Sequence, residues 1–206
     1  MYARSTTVRG NPQSMDDAIA YLRDRVMPAI QGLEGSVGLS MLCDRDSGRC
    51  IATTAWETEE AMHNSEGPLH ALRQRYAEMS GGRPEVQEWE IAILHRVRPA
   101  PEGACCRVVW GRGAPAGMDD RTATLRMTML PRLEELHGFC SVSTLVDRES
   151  GRGVTATVYE SRDAMDRAAD QGMSIREDAG RQLGIEITEV AEFDLALAHL
   201  RVPETV

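Results

Sequence analysis

One stretch occurs twice in this chain. Asp44-Arg45-Asp46-Ser47-Gly48-Arg49 returns as Asp147-Arg148-Glu149-Ser150-Gly151-Arg152, 103 positions later in a chain of 206 residues. A repeat at fixed spacing constrains the fold more than any local propensity, because each copy must be one structural unit. The register holds without a gap from Arg4/Arg107 to Met62/Met165, and about 24 of those roughly 59 pairs are identical. Among them are Gly10/Gly113, Pro12/Pro115, Met15-Asp16-Asp17/Met118-Asp119-Asp120, Pro28/Pro131 and Gly35/Gly138. The chain therefore reads as two modules of about 100 residues, each large enough for a modest core. The expected boundaries are 1–98 for the first module, 99–104 for a Pro- and Gly-bearing linker, and 105–206 for the second.

Each module follows one order of elements. Residues 2 to 9 alternate and carry β-branched side chains, which predicts a strand. After the Gly10-Asn11-Pro12 turn, Ser14 is placed to cap a helix whose first turn holds Asp16 and Asp17. Ile19, Leu22, Val26, Ile30 and Leu33 form its apolar stripe. Pro28, like Pro131 in the copy, predicts a kink, since proline lacks the donor and clashes one turn back. Gly35 is expected to end this helix. Strands follow at 37–42 and 51–57, joined by the repeated Asp-to-Arg turn, with Gly48 and Gly151 at positive φ. Thr58 caps a second helix that should break at Gly67-Pro68 and resume through Leu69, Leu72 and Tyr76. A long strand, 86–96, closes the module. The second half repeats this as strand 105–112, helix 118–137, strands 139–147 and 153–160, helix 162–182 and strand 185–200.

This β-α-β-β-α-β order predicts an α+β fold of two tandem ferredoxin-like modules. A four-stranded sheet with helices on one side leaves its other face bare, and a second copy is the simplest cover. The two antiparallel sheets are expected to pack face to face as a pseudo-dimeric α+β barrel with the helices outside. The two halves could pair within one chain or exchange between two chains, with the pairing edges along 86–96 and 185–200 able to go either way, and the unit could dimerise further into a homodimer.

Composition narrows the function. The net charge of −9 argues against nucleic acid, which is bound largely through Lys and Arg on phosphates, and equally against anionic membrane surfaces. No run of 18 apolar residues is present, so no membrane span is expected, and the amino terminus enters strand-like sequence without a secretion signal. A cytoplasmic location is the expectation. The five cysteines follow no metal spacing. Cys43 and Cys50 flank a turn and could form a disulfide, but their copies are Val146 and Gly153, so the fold does not require one; free thiols are expected. No phosphate loop, dinucleotide fingerprint, metal cluster or nucleophile motif is present.

In both halves the third strand ends in an aromatic residue and an acid, followed by a hydroxyl cap and an acid-Ala pair: Trp56-Glu57-Thr58-Glu59-Glu60-Ala61 and Tyr159-Glu160-Ser161-Arg162-Asp163-Ala164. With the preceding Gly35 and Gly138 turns, this pattern resembles the antibiotic biosynthesis monooxygenase family of the dimeric α+β barrel superfamily. The resemblance spans nearly the whole chain and implies that fold. For activity it implies an oxygenase without bound metal or flavin, acting on a small aromatic or polyketide-like molecule, with no cofactor expected. A non-catalytic small-molecule binder or assembly protein is the alternative. A haem-degrading branch shares the Trp-Glu segment, with an Asn in the first strand and an iron-ligating His in the second helix. Here the strand position holds Thr7 or Trp110, and the helix position falls at or near Arg73 or Arg176, which disfavours haem.

Candidate site residues follow from the asymmetry between halves. The second helix of the first half carries His63, Asn64, His70, Arg73 and Tyr76 where the copy has Asp166, Arg167, Met173, Arg176 and Ala179. This places the expected chemistry in the first half, with His63, His70 and Asn64 as catalytic candidates. Histidine as a residue type titrates near neutrality and suits proton abstraction from a phenol; surface histidines are the alternative. Trp110, Trp56, Tyr76, Thr7 and Arg73 are candidates for substrate contact, with core packing the alternative for the aromatics. Arg4/Arg107 and Arg73/Arg176 are duplicated cations. Facing a cavity they would fix an anionic group of a ligand; exposed, they would form weak surface pairs.

Overall fold

A computed structural model describes residues 1–200, with the side chain of the last of these excepted. In the first half, β1 (Tyr2–Arg9) leads through a 3-10 turn (Pro12–Ser14) to α1 (Met15–Tyr21), a π-helical turn (Leu22–Val26) and α2 (Met27–Gln31). Then come β2 (Ser36–Asp44), β3 (Arg49–Trp56), α3 (Glu59–Asn64), α4 (Glu66–Ser80) and β4 (Glu85–Arg96). The second half repeats them as β5 (Cys105–Arg112), α5 (Met118–Thr124), a π-helical turn (Leu125–Met129), α6 (Leu130–Glu134), β6 (Phe139–Asp147), β7 (Arg152–Tyr159), α7 (Arg162–Arg167), α8 (Ala169–Leu183) and β8 (Glu186–Leu200). In hydrogen-bonding order the strands run β1-β3-β2-β8-β5-β7-β6-β4 and close on themselves. The fold is an α+β fold with an eight-stranded antiparallel barrel. No helix among the described residues is long and apolar enough to cross a membrane.

The molecule divides into two compact units, and their limits fall inside the long strands rather than at the 99–104 linker. Among the described residues, one holds Met1–Trp89 with Phe193–Leu200; the other holds Glu90–Glu192. The reason is pairing. The far end of β4 pairs with β6, Glu90 opposite Val146 and Arg96 opposite Ser141. The far end of β8 pairs with β2, His199 opposite Leu39 and Leu195 opposite Leu42. The far ends of the long last strands are thus exchanged between the two halves of one chain, an arrangement not anticipated from the sequence.

Within the first unit, β1, β2 and β3 are in antiparallel register, and the helices pack on one face of them. Leu39, Met41, Trp56, Met62 and Tyr76 form the centre of that core. Phe139, Val142, Tyr159, Met165 and Ile175 do so in the second. The repeated turns are built alike: the Asp44 carboxylate accepts from the backbone N–H of Asp46 and Ser47, and Asp147 accepts from Glu149 and Ser150. Gly48 and Gly151 sit at φ 73° and 72°. A Cβ at either would collide with the carbonyl oxygen of Gly10 or Gly113.

Several local details differ from expectation, each for a physical reason. Ser14 makes no capping bond; Asn11 instead accepts from the Gln13 N–H and opens a 3-10 turn ahead of the helix. The prolines do not simply kink an α-helix. In both halves a π-helical turn ends just before Met27-Pro28 or Leu130-Pro131, a register change that accommodates a residue with no N–H to donate. The helix ends at Gln31, and Gly35 lies in the turn to β2, where its carbonyl accepts from the Glu57 N–H at 2.8 Å. A Cβ on Gly35 would come 2.7 Å from the Ala61 Cβ. That gives the Gly and Glu-Ala signature a packing meaning: small residues let this turn and the start of α3 meet. Finally, the second helix breaks at Ser65, not at Gly67-Pro68. Pro68 lies in the first turn of α4, where a missing N–H is no loss.

Candidate functional site

Side chains alternate across a strand, and this decides which candidates can reach a pocket. In the first unit Arg4 and Thr6 of β1 point toward the helices and line a small cavity of about 40 Å³, with Thr54, Leu69, Arg73 and Tyr76. In the second, Arg107, Val109 and Gly111 of β5 point the same way and line a cavity of about 130 Å³, with Thr157, Tyr159, Ile175 and Arg176 among its walls. Met118, Leu125, Met129 and Leu183 make the rest of its lining largely apolar.

The larger space lies in the half that carries fewer of the sequence candidates. The repeat register explains the difference. Leu69 and Tyr76, both buried in the first unit, are replaced by Gly172 and Ala179. Two side chains that fill the first cavity are thus missing from the second.

The cation pair is duplicated in space as well as in sequence, but its surroundings differ. Arg4 is 4% exposed and donates to Glu88 through Nε at 2.9 Å and Nη2 at 2.5 Å. Its Nη1 lies 2.9 Å from one carboxylate oxygen of Glu66, while Arg73 donates to the other oxygen of Glu66 at 2.9 Å. Glu66 therefore bridges the two guanidiniums. The hydrogen bond from Arg73, with the nearby positive charges, holds its carboxyl below the usual glutamate range.

In the second unit Arg107, 5% exposed, repeats the strand contact, donating to Glu192 through Nε at 3.0 Å and Nη2 at 2.7 Å. Position 169, the counterpart of Glu66, is alanine. The Nη1 of Arg107 is buried without a hydrogen-bond partner. Arg176 makes no ion pair among the described residues; burial, then the charge of Arg107, pushes its guanidinium below the ordinary arginine value. A Cβ on Gly172 would lie 3.5 Å from Nη1 of each arginine and 3.9 Å from the Tyr159 hydroxyl, so these three groups converge on the space that Gly172 leaves. Burial raises the Tyr159 phenol, against the lowering effect of Arg107.

Of the sequence candidates, the structure brings Arg73 and Tyr76 to the smaller cavity. Trp56 is fully buried beside it, its indole N–H donating to Thr54 at 3.0 Å. Thr7 and Trp110 fall on the opposite strand face by alternation and line neither cavity. His63, Asn64 and His70 are exposed. His63 lies 3.1 Å from Glu88 and His70 3.9 Å from Glu66, and the break at Ser65 separates them onto two helices. Sequence reasoning named Arg107 and Arg176 only as duplicated cations and missed Gly172, Ala179 and Ala169. The available signal was in the register: three positions where a filling or charged side chain gives way to a small one.

The residues do not fit haem, since no histidine lines either cavity. Among the described residues no three His, Cys, Asp or Glu side chains gather to hold a metal. All five cysteines are buried and none forms a disulfide, with the Cys43 and Cys50 sulfurs 3.3 Å apart across the hairpin.

The fold is similar to those of several solved α+β structures. The crystal structure of an anthrone oxidase-like protein superposes with a TM-score of 0.67 over 99% of this chain and 94% of that one, at 12% identity. A Lactobacillus acidophilus protein, provisionally named a monooxygenase, gives 0.71 over 97% and 96%, at 10% identity. The heme-degrading enzyme of Listeria monocytogenes gives 0.52 over 94% and 99%, at 8% identity. At such identities the likeness concerns the fold alone. No family model matches the chain. Two Mycobacterium tuberculosis proteins are far closer in sequence: the uncharacterized protein Rv2557 is 50% identical over 100% of this chain and 92% of its own length, and Rv2558 is 49% identical over 100% and 88%. The chain belongs to the family of these two mycobacterial proteins.

Proposed function

We propose that this protein binds a small, mainly apolar organic molecule in the cavity of its second unit. The observation that carries this is the cavity itself, about 130 Å³ and opened where Gly172 and Ala179 replace Leu69 and Tyr76. Apolar pockets of this order with a few convergent polar groups are the usual form of small-molecule sites. An engineered apolar cavity of roughly 150 Å³ takes up benzene, so a single ring or a short branched chain matches the size better than a polycyclic polyketide. Native mass spectrometry of protein purified from its own host tests the reading, with Gly172→Leu as the control. Wild type should carry a small organic molecule that the variant lacks; an empty wild type that also shows no thermal stabilisation by any member of a panel of monocyclic aromatics would overturn it.

Oxygenation of that ligand is a second reading, favoured by the same two guanidiniums. Placed beside a phenol they stabilise the phenolate, the electron-rich form that dioxygen attacks. The cavity lining contains no His, Asp or Glu to act as general base, so binding is the better-supported function. Oxygen uptake with hydroquinones and anthrones checks the oxygenase reading; rates equal to buffer across the panel would remove it.

A further inference from the structure

We infer that the ligand of the second unit is a compact monocarboxylate, its carboxylate bound by Arg107 and Arg176 and its apolar body filling the space that Leu69 and Tyr76 fill in the first unit. This rests on reading the cavity as a ligand site and adds the chemistry of the ligand. The first unit supplies the template. There, two arginines at the same repeat positions are bridged by a carboxylate that the chain itself provides, Glu66, with Arg4 on one oxygen and Arg73 on the other. In the second unit the cations remain and the carboxylate is gone, because the first residue of α8 is Ala169.

The strand acid does not make up the deficit. Glu192 receives Nε and Nη2 of Arg107 on one oxygen and Arg162 on the other, which leaves Arg107 Nη1 buried and unpartnered. Arg107 lines the cavity, as does Arg176. A buried guanidinium N–H without a partner is unfavourable, and a carboxylate answers it well, because its planar pair of oxygens can accept an N–H from each guanidinium. The Tyr159 hydroxyl close by offers a third donor. Beyond these groups the walls are mostly aliphatic, so the remainder of the molecule must be apolar. The second unit thus presents to its cavity the pair of guanidiniums that the first unit satisfies from its own helix.

The experiment uses the full chain, with benzoate as the anionic probe and benzamide as its neutral isostere, titrated by calorimetry into wild type, Ala169→Glu and Gly172→Leu. Far-ultraviolet circular dichroism confirms that each variant is folded. In wild type benzoate should bind at least about tenfold more tightly than benzamide, a difference of roughly 1.4 kcal/mol. Ala169→Glu restores the tethered carboxylate and should remove that preference while leaving benzamide affinity within about threefold. Gly172→Leu refills the space and should abolish both. If benzamide binds wild type as tightly as benzoate, or if Ala169→Glu leaves benzoate affinity unchanged, the carboxylate assignment fails and the cavity reading survives. If neither probe binds wild type, the carboxylate assignment fails together with the reading of the cavity on which it rests.

Discussion

The first and second units share a chain order, a pair of π-helical turns, a pair of glycine-dependent hairpins and a pair of buried strand arginines, yet they have gone separate ways at three positions of one helix. At 66/169 a carboxylate has become a methyl; at 69/172 and 76/179 a large side chain has become a small one or none. In the first unit the cations are neutralised internally and the space beside them is filled. In the second they are left facing an open cavity. What differs is not the scaffold but what the scaffold leaves unsatisfied, and duplicated modules show this directly because one copy serves as the reference for the other.

The comparison can be broken most severely by emptying the first unit. Leu69→Gly combined with Tyr76→Ala should open a second cavity there and destabilise the protein by roughly 4–8 kcal/mol, less than the sum of the single changes because the two side chains line the same space. Urea unfolding of the single and double variants measures it. A loss below 1 kcal/mol would mean that these side chains do not fill the first core as described.

A symmetry test comes next in size. Gly48→Ala and Gly151→Ala each force a Cβ into positive φ and against a neighbouring carbonyl oxygen, at a cost of roughly 2 kcal/mol or more. Equal losses in melting temperature are expected; a turn that tolerates alanine in one half alone would show that the hairpins are not equivalent.

A smaller effect, of opposite sign, is expected from Ala169→Glu. Without ligand it should stabilise the protein by about 0.5–1 kcal/mol, discounted because the position lies at a partly exposed helix start. Denaturant titration at low and high salt checks it, with the gain shrinking as salt rises.

The smallest effect concerns pH. Glu66 is held low by Arg73. At Glu88 burial raises the carboxyl, but the hydrogen bonds from Arg4 and His63 outweigh this and lower it. A carboxyl depressed in the folded state adds stability above its unfolded pKa, about 4.3 for glutamate, and loses it as pH falls through the folded value. Wild-type stability should therefore decline below about pH 4.3, and Glu66→Gln should flatten part of that decline. Melting curves from pH 6 down to about 2.5 would settle whether the bridge contributes.

Much of this architecture is legible in the sequence because it is written twice. The 103-residue register yields the element order, the turn glycines and the cap at Thr58, and a bare sheet face calls for a second sheet. The exchange of β4 and β8 is not legible, since either pairing satisfies the same backbone groups. The site was harder to read. His63 and His70 attract attention because histidine has chemistry, but whether a helix turns them inward depends on where it breaks, and the break falls at Ser65 rather than at the Gly67-Pro68 pair that signals one. Conversely, Gly172, Ala179 and Ala169 act by what they lack, and a missing side chain has no motif. Only Arg107 and Arg176 were visible, as cations kept in both copies.

The exchanged strands have one more consequence. Because β4 ends on β6 and β8 ends on β2, the two copies are clasped by their backbones as well as joined through the 99–104 linker. A protease cut within that linker would sever the chain without freeing either half, since each half would still lack its fifth strand segment unless the other stayed.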